Sequence, residues 1–157
     1  MQKFTISRDD SVYQAWPDVA LTKSGKLVAV FAACDHHWPR SKTQIMFCTS
    51  SDRGRTWSEK QALTKPGNLP DPIWNCPRIT VLKDGRLAVL VDANSGNENG
   101  DPDGLKNYLI FSADEGQTWS EPQLTPAQGI CPDKLRVLDN GRWIISCQYL
   151  DQKINKL

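Results

Sequence analysis

No stretch of this 157-residue chain approaches the roughly 20 consecutive apolar residues that a membrane-spanning helix needs. The N-terminus also lacks the basic-then-apolar pattern of a secretion signal, so the cytoplasm is the default expectation and no membrane partner is expected. Neither sign of charge dominates: 19 Lys and Arg stand against 18 Asp and Glu, for a net charge of +1. That balance argues against nucleic acid or an anionic surface as a partner. Helical periodicity is missing too, because the candidate segments are short and rich in Gly, Pro and β-branched residues. The five cysteines (Cys34, Cys48, Cys76, Cys131, Cys147) show no metal-ligand spacing. Their odd number and their places in or beside apolar strands predict buried free thiols rather than disulfides or zinc, so no metal or cofactor is expected.

What the chain does have is repetition. Ser-x-Asp-x-Gly-x-Thr-Trp runs from Ser50 to Trp57 and again from Ser112 to Trp119, each time after an apolar run (Ile45 to Cys48, Tyr108 to Phe111). The placement predicts a tight turn between strands. Asp52 and Asp114 can accept backbone N–H groups further along the turn, and Gly54 and Gly116 can take positive φ. Trp57 and Trp119 can wedge between sheets. These aspartates therefore read as builders of turns and not as paired catalytic carboxylates.

A second repeat consists of an apolar strand, a Gly turn and another apolar strand. The turns are Ser24-Gly25-Lys26, Asp84-Gly85-Arg86 and Asn140-Gly141-Arg142, and a proline opens each unit (Pro17, Pro77, Pro132). The chain thus reads as units of four antiparallel strands, at about 16–64 and 76–124, with two strands of a third over 131–157. Sixty-residue strand-and-turn repeats indicate an all-β propeller of four-stranded antiparallel blades. About two and a half blades are present, whereas a ring needs about four to eight. A piece of a longer product is expected, with self-association through open blade edges as the other way to complete it.

Alternating strand direction puts all the Gly and Ser-x-Asp turns on one face. The opposite face collects 34–43, 92–106, 65–78, 126–134 and Trp16-Pro17-Asp18. Charged and aromatic residues gathered on a rigid scaffold make a candidate ligand site.

The Ser-x-Asp-x-Gly-x-Thr-Trp phrases resemble the Asp-box of sialidases. Trp16-Pro17-Asp18-Val19, Cys76-Pro77-Arg78-Ile79 and Ile130-Cys131-Pro132-Asp133-Lys134-Leu135 look like phrases of sialidase-like BNR-repeat proteins. The resemblance implies the N-terminal half of a six-bladed, sialidase-like propeller. It further implies an exo-acting glycoside hydrolase that releases terminal sialic acid or a related acidic sugar. Such enzymes hold the sugar carboxylate with arginines, protonate the leaving oxygen with an aspartate and attack with a tyrosine.

Carried over, the resemblance makes Asp35, in the loop after the second strand, the acid/base residue. Arg40 and Arg78 become anion binders, because the family's first arginine is absent from Ala15-Trp16-Pro17-Asp18. His37, Asp18, Asp92 and Lys134 complete the candidate substrate contacts. Each has a plainer alternative. Asp35-His36-His37 can be a solvated loop, Arg78 an ion-pair partner between blades, and Asp18 a turn cap. Lys134 and Asp92 can pair with each other across blades. A non-catalytic glycan-binding or scaffold propeller using the same face is the alternative to the enzyme, and the isolated chain is expected to be inactive.

Overall fold

The computed structural model describes residues 3–37, 42–67, 71–94 and 104–148, and everything below concerns these. They form antiparallel sheets, with no α-helix. The first sheet runs β1 (Tyr13–Leu21), β2 (Leu27–Cys34), β3 (Gln44–Ser50) and β4 (Gln61–Ala62), each strand paired with the next. In the second, β5 (Ile73–Trp74) and β6 (Arg78–Val81) share one side of β7 (Leu87–Asn94), followed by β8 (Leu105–Ser112) and β9 (Gln123–Leu124). The third is a ribbon of β10 (Arg136–Val137) and β11 (Trp143–Ile144), extended by a bridge between Ile130 and Gln148.

The middle strands read as continuous apolar runs because both of their faces are covered. Seven of the eight β7 residues are buried. Val89 and Val91 pack with Ile79 and Ile110 against Val30, Ile45 and Phe47 of the first sheet. The opposite face presents Ala88, Leu90 and Leu109 to Leu135 of the third. Truncating a fully buried member such as Ile79 to Ala typically costs about 2–5 kcal/mol.

Pro77 stands just ahead of β6 as expected, but Pro17 does not open its strand. The β1–β2 register shifts between Ala15 and Asp18, so Pro17 lies inside a strand at a bulge. Pro77 falls in the gap between β5 and β6, and Pro132 between the Ile130 bridge and β10. In every case the preceding residue has a left-handed backbone: φ is 51° at Trp16, 21° at Cys76 and 51° at Cys131. A kink is built where Pro removes a ladder donor, at a cost of about 1–3 kcal/mol for each strained residue. The kink divides each first strand into an upper piece and a lower piece.

The lower pieces of the three first strands run side by side without pairing. Side chains satisfy their outward backbone groups instead. Asp18 Oδ2 accepts the Ile79 N–H at 2.9 Å, and Thr80 donates its hydroxyl to Leu135 O at 3.1 Å. Lys134 Nζ reaches Val19 O at 3.4 Å and makes an ion pair with Asp18 Oδ1 at 2.9 Å. Strand edges covered in this way cannot template further pairing.

Both Ser-x-Asp-x-Gly-x-Thr-Trp segments fold alike. Asp52 Oδ1 accepts the N–H groups of Arg55 (3.0 Å) and Thr56 (2.9 Å), and Oδ2 accepts the Thr56 hydroxyl. Asp114 repeats the pattern with Gln117 and Thr118. Ser50 and Ser112 accept the N–H of Gly54 and Gly116, whose φ values are 81° and 87°. The Thr hydroxyl leads the bonds that hold both carboxyls down at about 2. Trp119 wedges against Phe47 of the first sheet, with ring centroids 5.5 Å apart. Trp57, half-buried, donates its indole N–H to Gly54 O at 3.1 Å.

The turn face is occupied by its own contacts. Glu115 accepts the Ser24 backbone N–H and hydroxyl. Lys23 Nζ bonds Lys83 O at 2.9 Å, and Lys83 Nζ bonds Asp139 at 2.9 Å, so the three Gly turns are linked in series.

Candidate functional site

The loop face carries two groups of side chains. One stands at the upper end of the first sheet. β2 delivers the chain into Asp35, whose Oδ1 accepts the N–H of His36 at 2.9 Å; Asp35, His36 and His37 are all exposed. The His37 ring meets the start of β1, where its Nδ1 is hydrogen bonded to the Tyr13 hydroxyl at 3.1 Å. Trp16 closes the group, with its ring centroid 5.8 Å from His37 and 6.2 Å from Tyr13. Tyr13 meets His37 edge to face at 5.6 Å. The kink at Trp16 turns this indole into the group, and Cys34 anchors the loop by donating its thiol to His36 O at 3.3 Å. The result is an exposed aromatic corner beside a carboxylate.

The other group lies at the seam between the second and third sheets. Arg78 is half-buried, and one guanidinium nitrogen donates to Pro77 O at 2.9 Å. Asp92 is 1% exposed on β7, opposite Asn107, whose amide donates to Gly129 O at 3.1 Å. Burial, followed by the Asp92 charge, pushes the Cys76 and Cys147 thiols up. Asp133 is held below the ordinary carboxylate range by the Lys134 N–H and the Arg136 side chain, with the Arg78 charge adding to it.

Of the residues singled out from sequence, Asp35 and His37 come together in one loop, whereas Arg78 and Asp92 belong to the seam. Asp18 and Lys134 bind each other beneath both groups and tie the first strands together. Lys134 therefore pairs with Asp18 and not with Asp92. Arg40 lies outside the described residues. Three cysteines (Cys34, Cys48, Cys76) are buried and all five are free, but Cys131 is exposed and Cys147 partly so. Sequence reasoning missed Tyr13 and Trp16 as partners of His37, and Cys131 as a neighbour of Cys76. The available signal was the residue before each proline, which the repeat puts at equivalent positions.

A cleft of about 370 Å³ runs between the first strands, lined by Val19, Leu21, Thr80, Lys134 and Arg136 among others. Among the described residues no three His, Cys, Asp or Glu side chains gather closely enough to hold a metal ion.

Stacked antiparallel sheets with their first strands side by side make an all-β, propeller-like fold. The chain is 25% identical, over 91% of its length, to a sialidase of Clostridium perfringens, of which it covers 41%. A crystal structure of a protein of unknown function from Dyadobacter fermentans superposes with a TM-score of 0.69 at 19% identity, over 89% of this chain and 48% of that one. A Hadza microbial sialidase superposes with a TM-score of 0.62 at 18% identity, over 82% and 30% respectively. The chain thus spans less than half the length of each of these proteins. No protein-family model matches it.

Proposed function

We propose that this chain supplies part of the sugar-binding face of a sialidase-like glycoside hydrolase, with Asp35 as the acid/base residue. The carrying observation is an exposed carboxylate set beside an aromatic corner where β2 ends, in a chain distantly similar to a sialidase. In this reading the Trp16 and Tyr13 rings stack against a sugar face, and His37 offers a polar edge. Arg40 and Arg78 attract the acidic group of the sugar. Asp35 donates a proton to the departing glycosidic oxygen and later takes one from water. The terminal acidic sugar, the exo mode of attack and the division of the chain into blades at about 16–64, 76–124 and 131–157 belong to the same proposal.

The test is Asp35→Asn in the full-length protein, assayed on a natural glycan and on a sialoside with an activated leaving group. Loss of general acid catalysis should cost about 10²–10⁴-fold on the natural glycan and far less on the activated one. Equal losses on both would sink the assignment. A second reading, glycan binding without cleavage, is favoured by the commitment of Asp18 and Lys134 to a clasp between strands and by Ala15 standing where the family has an arginine. It predicts saturable glycan binding that Asp35→Asn leaves unchanged.

A further inference from the structure

We propose that Cys76 and Cys131 form a reversible dithiol–disulfide site, oxidised by small disulfides of the glutathione class, that bridges the second and third sheets. The two sulfur atoms lie 3.5 Å apart, in contact, although the residues are 55 positions apart in sequence. A disulfide needs about 2.05 Å, a change within reach of side-chain rotation from sulfurs already touching. The juxtaposition is a product of the repeat: both cysteines occupy the left-handed kink before a proline, Cys76 just ahead of β6 and Cys131 ahead of β10. The remaining thiols have other surroundings. Cys34 donates to His36 O, Cys147 donates to Gln128 O at 3.0 Å, and Cys48 is fully buried in β3.

Exposure sets the order of events. Cys131 is exposed, while Cys76 is 1% exposed beneath it. The Cys131 thiolate attacks one sulfur of oxidised glutathione, forming a mixed disulfide and releasing one glutathione thiolate. Cys76 then loses its proton and attacks the Cys131 sulfur, forming the intramolecular bond and releasing the second glutathione. Two thiols are oxidised by two electrons, one disulfide is reduced, and two protons leave with the products. Burial, the Asp92 charge and Cys131 itself all push the Cys76 thiol up, so the reduced pair gains little from ionisation. The attack by Cys76 is therefore the slower of the two steps. The bond would fix β6, which carries Arg78, against the segment carrying Asp133, making the loop face at this seam responsive to redox conditions.

The full chain, reduced and desalted, is incubated with oxidised glutathione at neutral pH. It is then unfolded, alkylated, digested without reductant and analysed by mass spectrometry. The expected result is a cross-linked pair of peptides carrying Cys76 and Cys131, lighter by two hydrogens, with Cys34, Cys48 and Cys147 alkylated. A lasting glutathione adduct on Cys131 with Cys76 free would overturn the proposal, as would a Cys131–Cys147 link. Cys131→Ser, at an exposed position, should abolish the link and leave the thermal midpoint of the reduced protein in place. Cys147→Ser should retain the link. Oxidised wild-type chain should melt several degrees higher than reduced chain, because the bond closes a long loop. A lower midpoint on oxidation would refute the argument from native geometry.

Discussion

The clasp made by Asp18 gives the sharpest quantitative expectation. Its carboxylate is 14% exposed and accepts the N–H of Ile79, a residue that is fully buried, while pairing with Lys134, which remains 44% exposed. These contacts differ in weight. Leaving a buried N–H without an acceptor costs about 1–3 kcal/mol. An ion pair with a half-exposed lysine contributes about 0–1 kcal/mol. Asp18→Ala removes both and should cost about 1–4 kcal/mol. Asp18→Asn keeps a carbonyl acceptor for Ile79 and should cost about 1 kcal/mol, as should Lys134→Met. At this chain length each kcal/mol lowers the midpoint by about 2–4 °C, so Asp18→Ala should melt about 2–16 °C below wild type. Urea titration of the full chain, followed by tryptophan fluorescence and paired with thermal melts, checks both scales. The reasoning fails if Asp18→Asn is as damaging as Asp18→Ala, because charge would then outweigh the satisfied N–H. It fails equally if Asp18→Ala stays within experimental error of wild type.

Asp52→Ala and Asp114→Ala should each lower the thermal midpoint without a selective kinetic effect, since these carboxylates serve only their own turns; unchanged midpoints in both would contradict the turn assignment. Both groups titrate at about 2 in the folded chain against an ordinary 3.8, so their contribution is fully present above about pH 4 and is lost as pH falls towards 2. An acid titration of stability should steepen across that window in wild type and less so in the double mutant. If the proposed sugar-binding reading holds, Trp16→Ala and His37→Ala weaken glycan binding by about tenfold, one lost ring contact of about 1.4 kcal/mol, with KM rising more than kcat falls. Gly129→Ala should loosen the third sheet, because a Cβ there would sit 2.5 Å from Gln148 O on a backbone at φ of 131°. Circular dichroism and accelerated amide exchange at Ile130 and Gln148 would report that loosening.

Much of the architecture could be read from punctuation. Gly25, Gly85 and Gly141 mark hairpins because a positive φ is needed there, and Ser-x-Asp-x-Gly-x-Thr-Trp specifies its own hydrogen bonds within a few residues. Local chemistry of this kind is visible in sequence because it depends on nothing distant. Pro77 does precede a strand, but Pro17 sits inside β1, since a bulge lets the ladder resume after the lost donor, and residues from Tyr13 onward join the strand. The pairings of Asp18 with Ile79 and Lys134, and of Cys76 with Cys131, could not be read. They depend on how one sheet sits against the next, and no spacing within a sheet encodes that. For the candidate site, position after β2 pointed to Asp35, but only the folded chain brings Tyr13 and Trp16 to the His37 ring.

The pairing pattern also has a consequence for vectorial synthesis. Every described ladder stays inside one sheet, and the first sheet closes with Gln61–Ala62 before the second begins at Ile73. Among the described residues, emergence from the ribosome and pairing within each sheet therefore follow the same order. The completed first sheet offers Val30, Ile45 and Phe47 as a surface on which Val89 and Ile110 condense. The segment between Leu63 and Asp71 becomes the natural place for a translational pause. Slowing elongation there gives one finished sheet time to receive the next, and slow codons inside β7 would hold its apolar run unpaired at the moment of greatest exposure.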